Sequence, residues 1–335
     1  MHIADPAGPA PAAPQERPAL VAPAPISHSL ARDLIAMLRP TQWAKTLLVI
    51  PLPLLGARAW SPAMAGRAGL AVAVFTLASC VTYVVNDIAD RRRDSEHPVK
   101  RQRPIAAGRF PVYGAWLYAA SLTCVLCVLL IGWRPAGWWP AGWWPVLAYL
   151  VLNAAYSRGL KHVPLVDVFL IAVGFLLRLV QGYRAIGEPV SGWLLLCVLC
   201  LCLMLSLGKR RHELSVVDAG HRPSLQGYSV AFVDQLILLN ATLTLVAYVL
   251  YLVSGSRFDT QAQAIAFLSI PVGLFAVSRY LQLIIVRQDG GEPVRTLFRD
   301  RILIADFALW VILLGAATVD THCPGLGHLL PATRS

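Results

Sequence analysis

The feature that most constrains this chain is a succession of apolar runs, each near the length that crosses a bilayer. A transmembrane helix needs about 20 predominantly apolar residues. Nine such runs follow one another, at approximately 41–60, 66–86, 112–132, 142–156, 165–186, 190–208, 231–254, 261–286 and 302–320. In hydrocarbon every backbone N–H and C=O must find its partner within the segment, so each run is expected to be a helix. The expected fold is an all-α, polytopic integral membrane bundle of about nine transmembrane helices. Pro51 and Pro53 predict a kink or break in the first run, and the fourth run is short. Only 14% of the residues are charged. Soluble chains carry roughly 25%, so an ordinary soluble enzyme is not expected.

The basic residues test this assignment, because cytoplasmic loops collect Lys and Arg. Seven lie after the second run, two after the fourth, four after the sixth and four after the eighth, and the segment through Lys45 adds four. The opposite side holds six: Arg58, Arg67, Arg134, Arg184, Arg257 and Arg334. The N-terminus and the even-numbered loops are therefore expected in the cytoplasm and the C-terminus outside. The net charge of +11 sits between apolar runs, not on a polar surface, so membrane lipids and not nucleic acid are the expected partners.

Residues 1–28 read as a disordered Pro/Ala-rich cytoplasmic tail, 29–322 as the membrane domain and 323–335 as a short C-terminal tail. The tail lacks the charged and apolar regions of a signal peptide, so the first span is expected to act as its own insertion signal. Six of the seven cysteines lie inside apolar runs and read as small apolar helix residues, not as disulfide or zinc partners. The tandem repeat PAGWWPAGWWP at 135–145 reads as an interfacial aromatic belt. No HExxH, P-loop, GxSxG, CxxCH or GxGxxG sequence is present.

The most informative stretch is NDIADRRRDSEHPVKRQRPIAAGR, Asn86–Arg109. Asp87, Asp90 and Asp94 are spaced i, i+3, i+7, so a helix continuing from the second span presents all three on one face. Topology requires Lys and Arg, to which Arg91–Arg93 contribute, but it leaves the periodic acids unexplained. Carboxylates this close repel one another unless a cation lies among them. A hard divalent cation such as Mg²⁺ takes oxygen ligands and leaves positions for substrate phosphates. Asn86, one helical step from Asp90, is a further candidate ligand. Lys100, Arg101 and Arg103 suit phosphate oxygens.

This stretch resembles the first aspartate-rich motif of the UbiA superfamily of intramembrane prenyltransferases, and the resemblance covers nearly all of residues 38–315. The longer string, with Asn86, Asp87, Asp90, Asp94, His97, Pro98, Lys100, Arg103, Pro104 and Gly108 in place, resembles the decaprenyl-phosphate phosphoribosyltransferase branch. RPTQWAK (39–45), AYSRGLKHVPLVDVF (155–169) and LGKRRHEL (207–214) agree with that branch, and GEPVRTLFRDRIL (291–303) agrees more loosely. Ordinary members carry a second aspartate motif after the sixth span. Here that position reads Lys209-Arg210-Arg211-His212-Glu213. Lys209 and Arg210 suit phosphate directly. Three roles stay open to Glu213: orienting Lys209, completing the metal shell, or binding ribose hydroxyls.

Gln42, Lys45, Tyr156 and Lys161 match the family strings at cytoplasmic helix ends, although snorkelling also accounts for the lysines. Arg178 and Asp167 lie in the fifth span, about three turns apart, too far for a direct ion pair. Arg178 is a candidate for binding phosphate or for satisfying carbonyls. His97, before Pro98, is expected to shape the loop.

The resemblance implies a Mg²⁺-dependent transfer of 5-phosphoribosyl from phosphoribosyl diphosphate (PRPP) to a polyprenyl (decaprenyl or undecaprenyl) phosphate. The products would be polyprenyl-phosphoryl-5-phosphoribose, a precursor of D-arabinose donors for surface glycans, and diphosphate. It implies Asp87, Asp90, Asp94, Lys209 and Glu213 as catalytic residues and Asn86, Gln42, Lys45, Lys100, Arg103, Tyr156, Lys161, Arg178 and Arg210 as substrate-binding residues. It places the protein in a bacterial plasma membrane, with a homo-oligomer open and no general base assigned. A prenyltransferase acting on an aromatic or tetrapyrrole acceptor would call for the missing second acid cluster. A transporter would call for mid-membrane charges and repeated spans.

Overall fold

The computed structural model describes residues 29–50, 53, 61–132, 142–216, 223–254, 260–288, 291, 297 and 299–322. Among the described residues the regular structure is helical, without strands. The α-helices are α1 (Leu30–Leu38), α2 (Ala44–Val49), α3 (Pro62–Glu96), α4 (Val112–Gly132), α5 (Trp144–Arg158), α6 (Val166–Ile186), α7 (Gly192–Val216), α8 (Val230–Ser254), α9 (Thr260–Phe267), α10 (Ser269–Ile285) and α11 (Arg301–His322). Seven segments among the described residues are long and apolar enough to cross a membrane, with Ala262–Ile285 of α9 and α10 counted as one. They correspond to seven of the nine expected spans. The fourth run forms α5, whose 15 residues rise only about 22 Å. The first run is represented by a 3₁₀ turn at Pro40–Gln42, by α2 and by the buried Pro53. Pro51, both proposed tails and most of the Trp repeat lie outside the described residues. Trp143 departs from the aromatic-belt expectation. It is buried in the core, whereas Trp144 is exposed.

The helix that matters most is α3, whose 35 residues continue the second span beyond its apolar part. Ser61 caps its start, its hydroxyl accepting from the Met64 N–H at 3.2 Å, and Pro62 takes the first turn, where a missing N–H costs nothing. It stops at His97, which turns to extended backbone before Pro98. The His97 Nδ1 accepts from the N–H groups of Val99 and Lys100 at 3.2 and 3.3 Å, so this ring shapes the following turn as expected.

Two apolar clusters share α6. One packs Phe75 of α3, Leu126 of α4, Trp143 and Tyr149 around Leu177. The other packs Met204 and Leu207 of α7, Ile237 of α8 and Tyr280 of α10 around Val168 and Ala172. α6 therefore stands between the helices that carry the two charged sequence motifs. Its close approach to the segment after α2 depends on Gly182, where an added Cβ would lie 2.3 Å from the Ile50 carbonyl oxygen.

Candidate active site

At the polar end of α3 the three acids do not disperse into solvent. Asp87 and Asp94 are each 3% exposed. Arg103, brought back by the turn after α3, places Nη1 3.0 Å from Asp87 Oδ1 and 2.5 Å from Asp94 Oδ2. Arg39, in the left-handed turn after α1, forms a second ion pair with Asp87, and its guanidinium stands 5.2 Å from the Tyr83 ring centre. Asp90 is paired with Lys161, which the 3₁₀ turn after α5 carries. The Ser157 hydroxyl donates to the Asn86 amide oxygen. Beside Asp90 and Lys161 lies a hollow of about 420 Å³, walled also by Arg92, Arg93, Arg158 and His162.

Among the described residues no three His, Cys, Asp or Glu side chains converge closely enough to hold a metal by themselves. The acids are joined through cations instead. The donor set nevertheless fits a hard divalent ion, because it consists of carboxylate and amide oxygens on one helix face. Arg103 is the direct test of that fit: one positive nitrogen sits within hydrogen-bond distance of an oxygen from each of two buried carboxylates.

The polar end of α7 holds the second group. Arg210, 3% exposed, is ion-paired with Glu213 one turn on, and its Nε lies 3.7 Å from Asp167 Oδ2 at the start of α6. Asp167 is fully buried. It accepts from the Tyr228 hydroxyl at 2.9 Å and from the Ser224 hydroxyl at 3.4 Å. Burial, and then the Asp167 charge, push the Tyr228 phenol above its ordinary range and keep it a donor. Glu213 thus has Arg210 as an observed partner, in addition to the Lys209 expected from i, i+4 spacing. Arg211 braces the group from the other side, donating to Asp234 of α8 at 2.6 Å and to the Ile284 carbonyl of α10 at 2.9 Å.

The connection after α5 and the first turn of α6 link the two groups, since they carry Lys161 to Asp90 and Asp167 to Arg210. Lys209 is half-buried there and Lys100 is exposed on the turn after α3. Gln42, Lys45 and Tyr156 are half-buried at the ends of their elements. Arg178 lies deeper in α6, 5% exposed and apart from Asp167. It donates to the Gly174 carbonyl at 2.8 Å, the Tyr149 hydroxyl at 3.0 Å, and Ser79 and Thr46 at 3.3 Å. The rings of Phe75, Tyr149 and Phe175 surround its charge at 4.7–5.4 Å. Of its two expected roles, the contacts match the satisfaction of neighbouring oxygens.

Local spacing does not reveal Arg39, Ser157, Asp167 or Tyr228 as members of these groups. The signals are that Arg39 opens RPTQWAK, that Ser157 and Asp167 lie within AYSRGLKHVPLVDVF, and that Asp167 is an acid inside an apolar run.

Comparison with known proteins places this arrangement. The model of the UbiA prenyltransferase family matches residues 47–302. The decaprenyl-phosphate phosphoribosyltransferase of Mycolicibacterium smegmatis is 34% identical over 306 residues, covering 86% of this chain and 93% of that protein. The protein of the same name from Corynebacterium glutamicum is 32% identical, covering 85% of this chain and 86% of its own. Among solved structures, a UbiA homologue from Archaeoglobus fulgidus bound to GPP and Mg²⁺ superposes with a TM-score of 0.63, covering 87% of this chain and 99% of that one. At 16% identity this last likeness speaks for the fold. With an acid-bearing second span in a helical membrane bundle, and with a family match over most of its length, this chain belongs to the UbiA prenyltransferase family.

Proposed function

We propose that this protein transfers the 5-phosphoribosyl group of PRPP to a polyprenyl phosphate at the cytoplasmic face of a bacterial plasma membrane. The observation that carries the reading is the near full-length likeness to relatives whose names state decaprenyl-phosphate phosphoribosyl transfer. The α7 end supports it. Lys209, Arg210 and Glu213 stand where the resemblance leads one to expect a second acid cluster for a prenyl diphosphate, and they suit a sugar with two phosphorylated ends.

The residues divide the work by charge. Asp87, Asp90 and Asp94, with Asn86, would hold Mg²⁺, which when bound supplies charge stabilisation to the leaving diphosphate. Arg103 and Lys161 already sit against these acids and are within reach of phosphate oxygens that approach the same face. Lys100 adds charge on the turn after α3, Lys209 binds the remaining phosphate, and Arg210 stands beside it between Asp167 and Glu213. Gln42, Lys45 and Tyr156, half-buried at the ends of their elements, would orient the lipid phosphate. Arg178 acts from deeper in the bundle by fixing α6 against α2, α3 and α5.

In the reaction a lipid phosphate oxygen bonds to ribose C1. The bond from C1 to the diphosphate breaks, and its electron pair leaves with diphosphate. The ribose passes through an oxocarbenium-like state, as in other glycosyl transfers. The attacking phosphate is already anionic near neutral pH, so no proton need move and no general base is required.

The test is purified protein in lipid nanodiscs with Mg²⁺, labelled PRPP and polyprenyl phosphate. Label in the lipid fraction supports the proposal. Turnover only of a prenyl diphosphate with an aromatic acceptor overturns it.

A further inference from the structure

We propose that Asp167 is a positioning residue for PRPP: acting through Arg210, it sets Glu213 to accept the ribose hydroxyls. The inference rests on the reaction proposed above. It starts from a buried carboxylate that no part of that chemistry uses.

Asp167 has no exposed surface. A carboxylate in such a place is costly unless it is paired and hydrogen-bonded. The bundle meets that cost with three groups from two other elements: Tyr228 and Ser224 from the turn before α8, and Arg210 from α7. The backbone is also committed. Leu165, two residues earlier, has φ +64°, a conformation that non-glycine residues rarely adopt. Its N–H donates to the same Tyr228 hydroxyl at 2.7 Å. One phenol therefore fixes both the strained entry to α6 and the acid that follows. Strain held in this way commonly marks a functional position.

What the arrangement achieves is visible at Arg210. Its guanidinium lies between two carboxylates, the enclosed Asp167 and the partly exposed Glu213. The same cation thus ties the enclosed acid to the member of the trio that reaches the surface. An arrangement built only to capture phosphate would leave the guanidinium to the ligand. Here Asp167 holds it from beneath, so Arg210 serves to aim Glu213. Arg210 donates to one carboxylate oxygen of Glu213, and a carboxylate has about four acceptor positions in all. A carboxylate suits a neutral diol and repels a phosphate. That is the discrimination required at the one part of PRPP that bears no charge.

The test compares equilibrium binding of PRPP and of inorganic diphosphate, each with Mg²⁺, to the full-length protein in nanodiscs. Wild type is expected to prefer PRPP. Asp167→Asn and Glu213→Gln should each reduce that preference by about tenfold while changing diphosphate affinity little. The double variant should lose no more than either single one, because residues in one relay are not additive. Tyr228→Phe, which keeps the carboxylate, should give a smaller loss in the same direction and provides the readout if Asp167→Asn does not fold. An unchanged preference in Asp167→Asn or Tyr228→Phe overturns the inference, as do additive losses in the double variant or an equal fall for both ligands. The transfer assay is separate: a wild type that prefers PRPP but labels no lipid refutes the reaction and leaves the relay standing. A wild type that labels lipid but binds the two ligands alike refutes the relay alone.

Discussion

At the scale of single residues, the site is a set of opposite charges brought together from distant parts of the chain. Asp90 and its partner Lys161 keep some exposure, at 27% and 11% of their side chains. Such a pair adds about 1 kcal/mol or less to stability. Asp90→Ala is therefore expected to melt close to wild type in detergent while losing transfer by about a hundredfold or more, the scale of removing a group that stabilises developing charge. Normal turnover in that variant would remove the metal-holding role of the α3 face. The acids were legible in the sequence because their i, i+3, i+7 spacing is a property of one helix. Arg39 was not, because its pairing with Asp87 joins residues 48 apart and leaves no local period. The same holds for the pairing of Asp167 with Arg210: each residue stands out singly in the sequence, but no local spacing joins them.

At the scale of elements, contact between helices depends on small residues at a few points. The path past Gly182 is one: with the Ile50 carbonyl oxygen 2.3 Å from the position of a Cβ, Gly182→Ala must push α6 away from the segment after α2. A loss of about 1–3 kcal/mol is expected from overpacking of this kind. Gly69→Ala in α3, where nothing lies within 4 Å, is the control and should be neutral or slightly stabilising in the same thermal melt. The α10–α11 contact gives a pH dependence. The hydrogen bond from Arg279, and then the Leu303 N–H, hold the Asp300 carboxyl below its ordinary range against the opposing effect of burial. A depressed carboxyl stabilises the fold above its unfolded pKa, near 3.9, and loses that contribution as pH falls through its folded value. Asp300→Asn should thus lower the melting temperature at pH 7, and the difference from wild type should shrink below about pH 4. The existence of the long helices was legible from apolar run length alone. The short α5 was legible as the short fourth run, but the buried Trp143 was not, since the repeated Trp-Trp pairs look alike in sequence and packing separates them.

At the scale of the whole molecule, the proposed chemistry requires both charged groups on one side of the bilayer. A single cysteine at Arg101→Cys, in a background without the native cysteines, should react with a membrane-impermeant maleimide in inverted vesicles and not in right-side-out ones. Labelling in the opposite preparation would place the site outside the cell and remove access to PRPP. This expected orientation rests on the excess of Lys and Arg on the even-numbered loops. One more consequence follows from the unbroken run of α3. Thirty-five residues extend about 52 Å, well beyond the roughly 30 Å of hydrocarbon, so the helix works like a camshaft whose lobes are the acids. Adding one residue to its submerged half would rotate every lobe by about 100° and advance it by about 1.5 Å, carrying the acids off Arg103 and Lys161 together. The number of residues between Ser61 and Asn86 therefore places this charged group as much as the identity of the aspartates does, and length changes tolerated by a protein built this way belong in its loops.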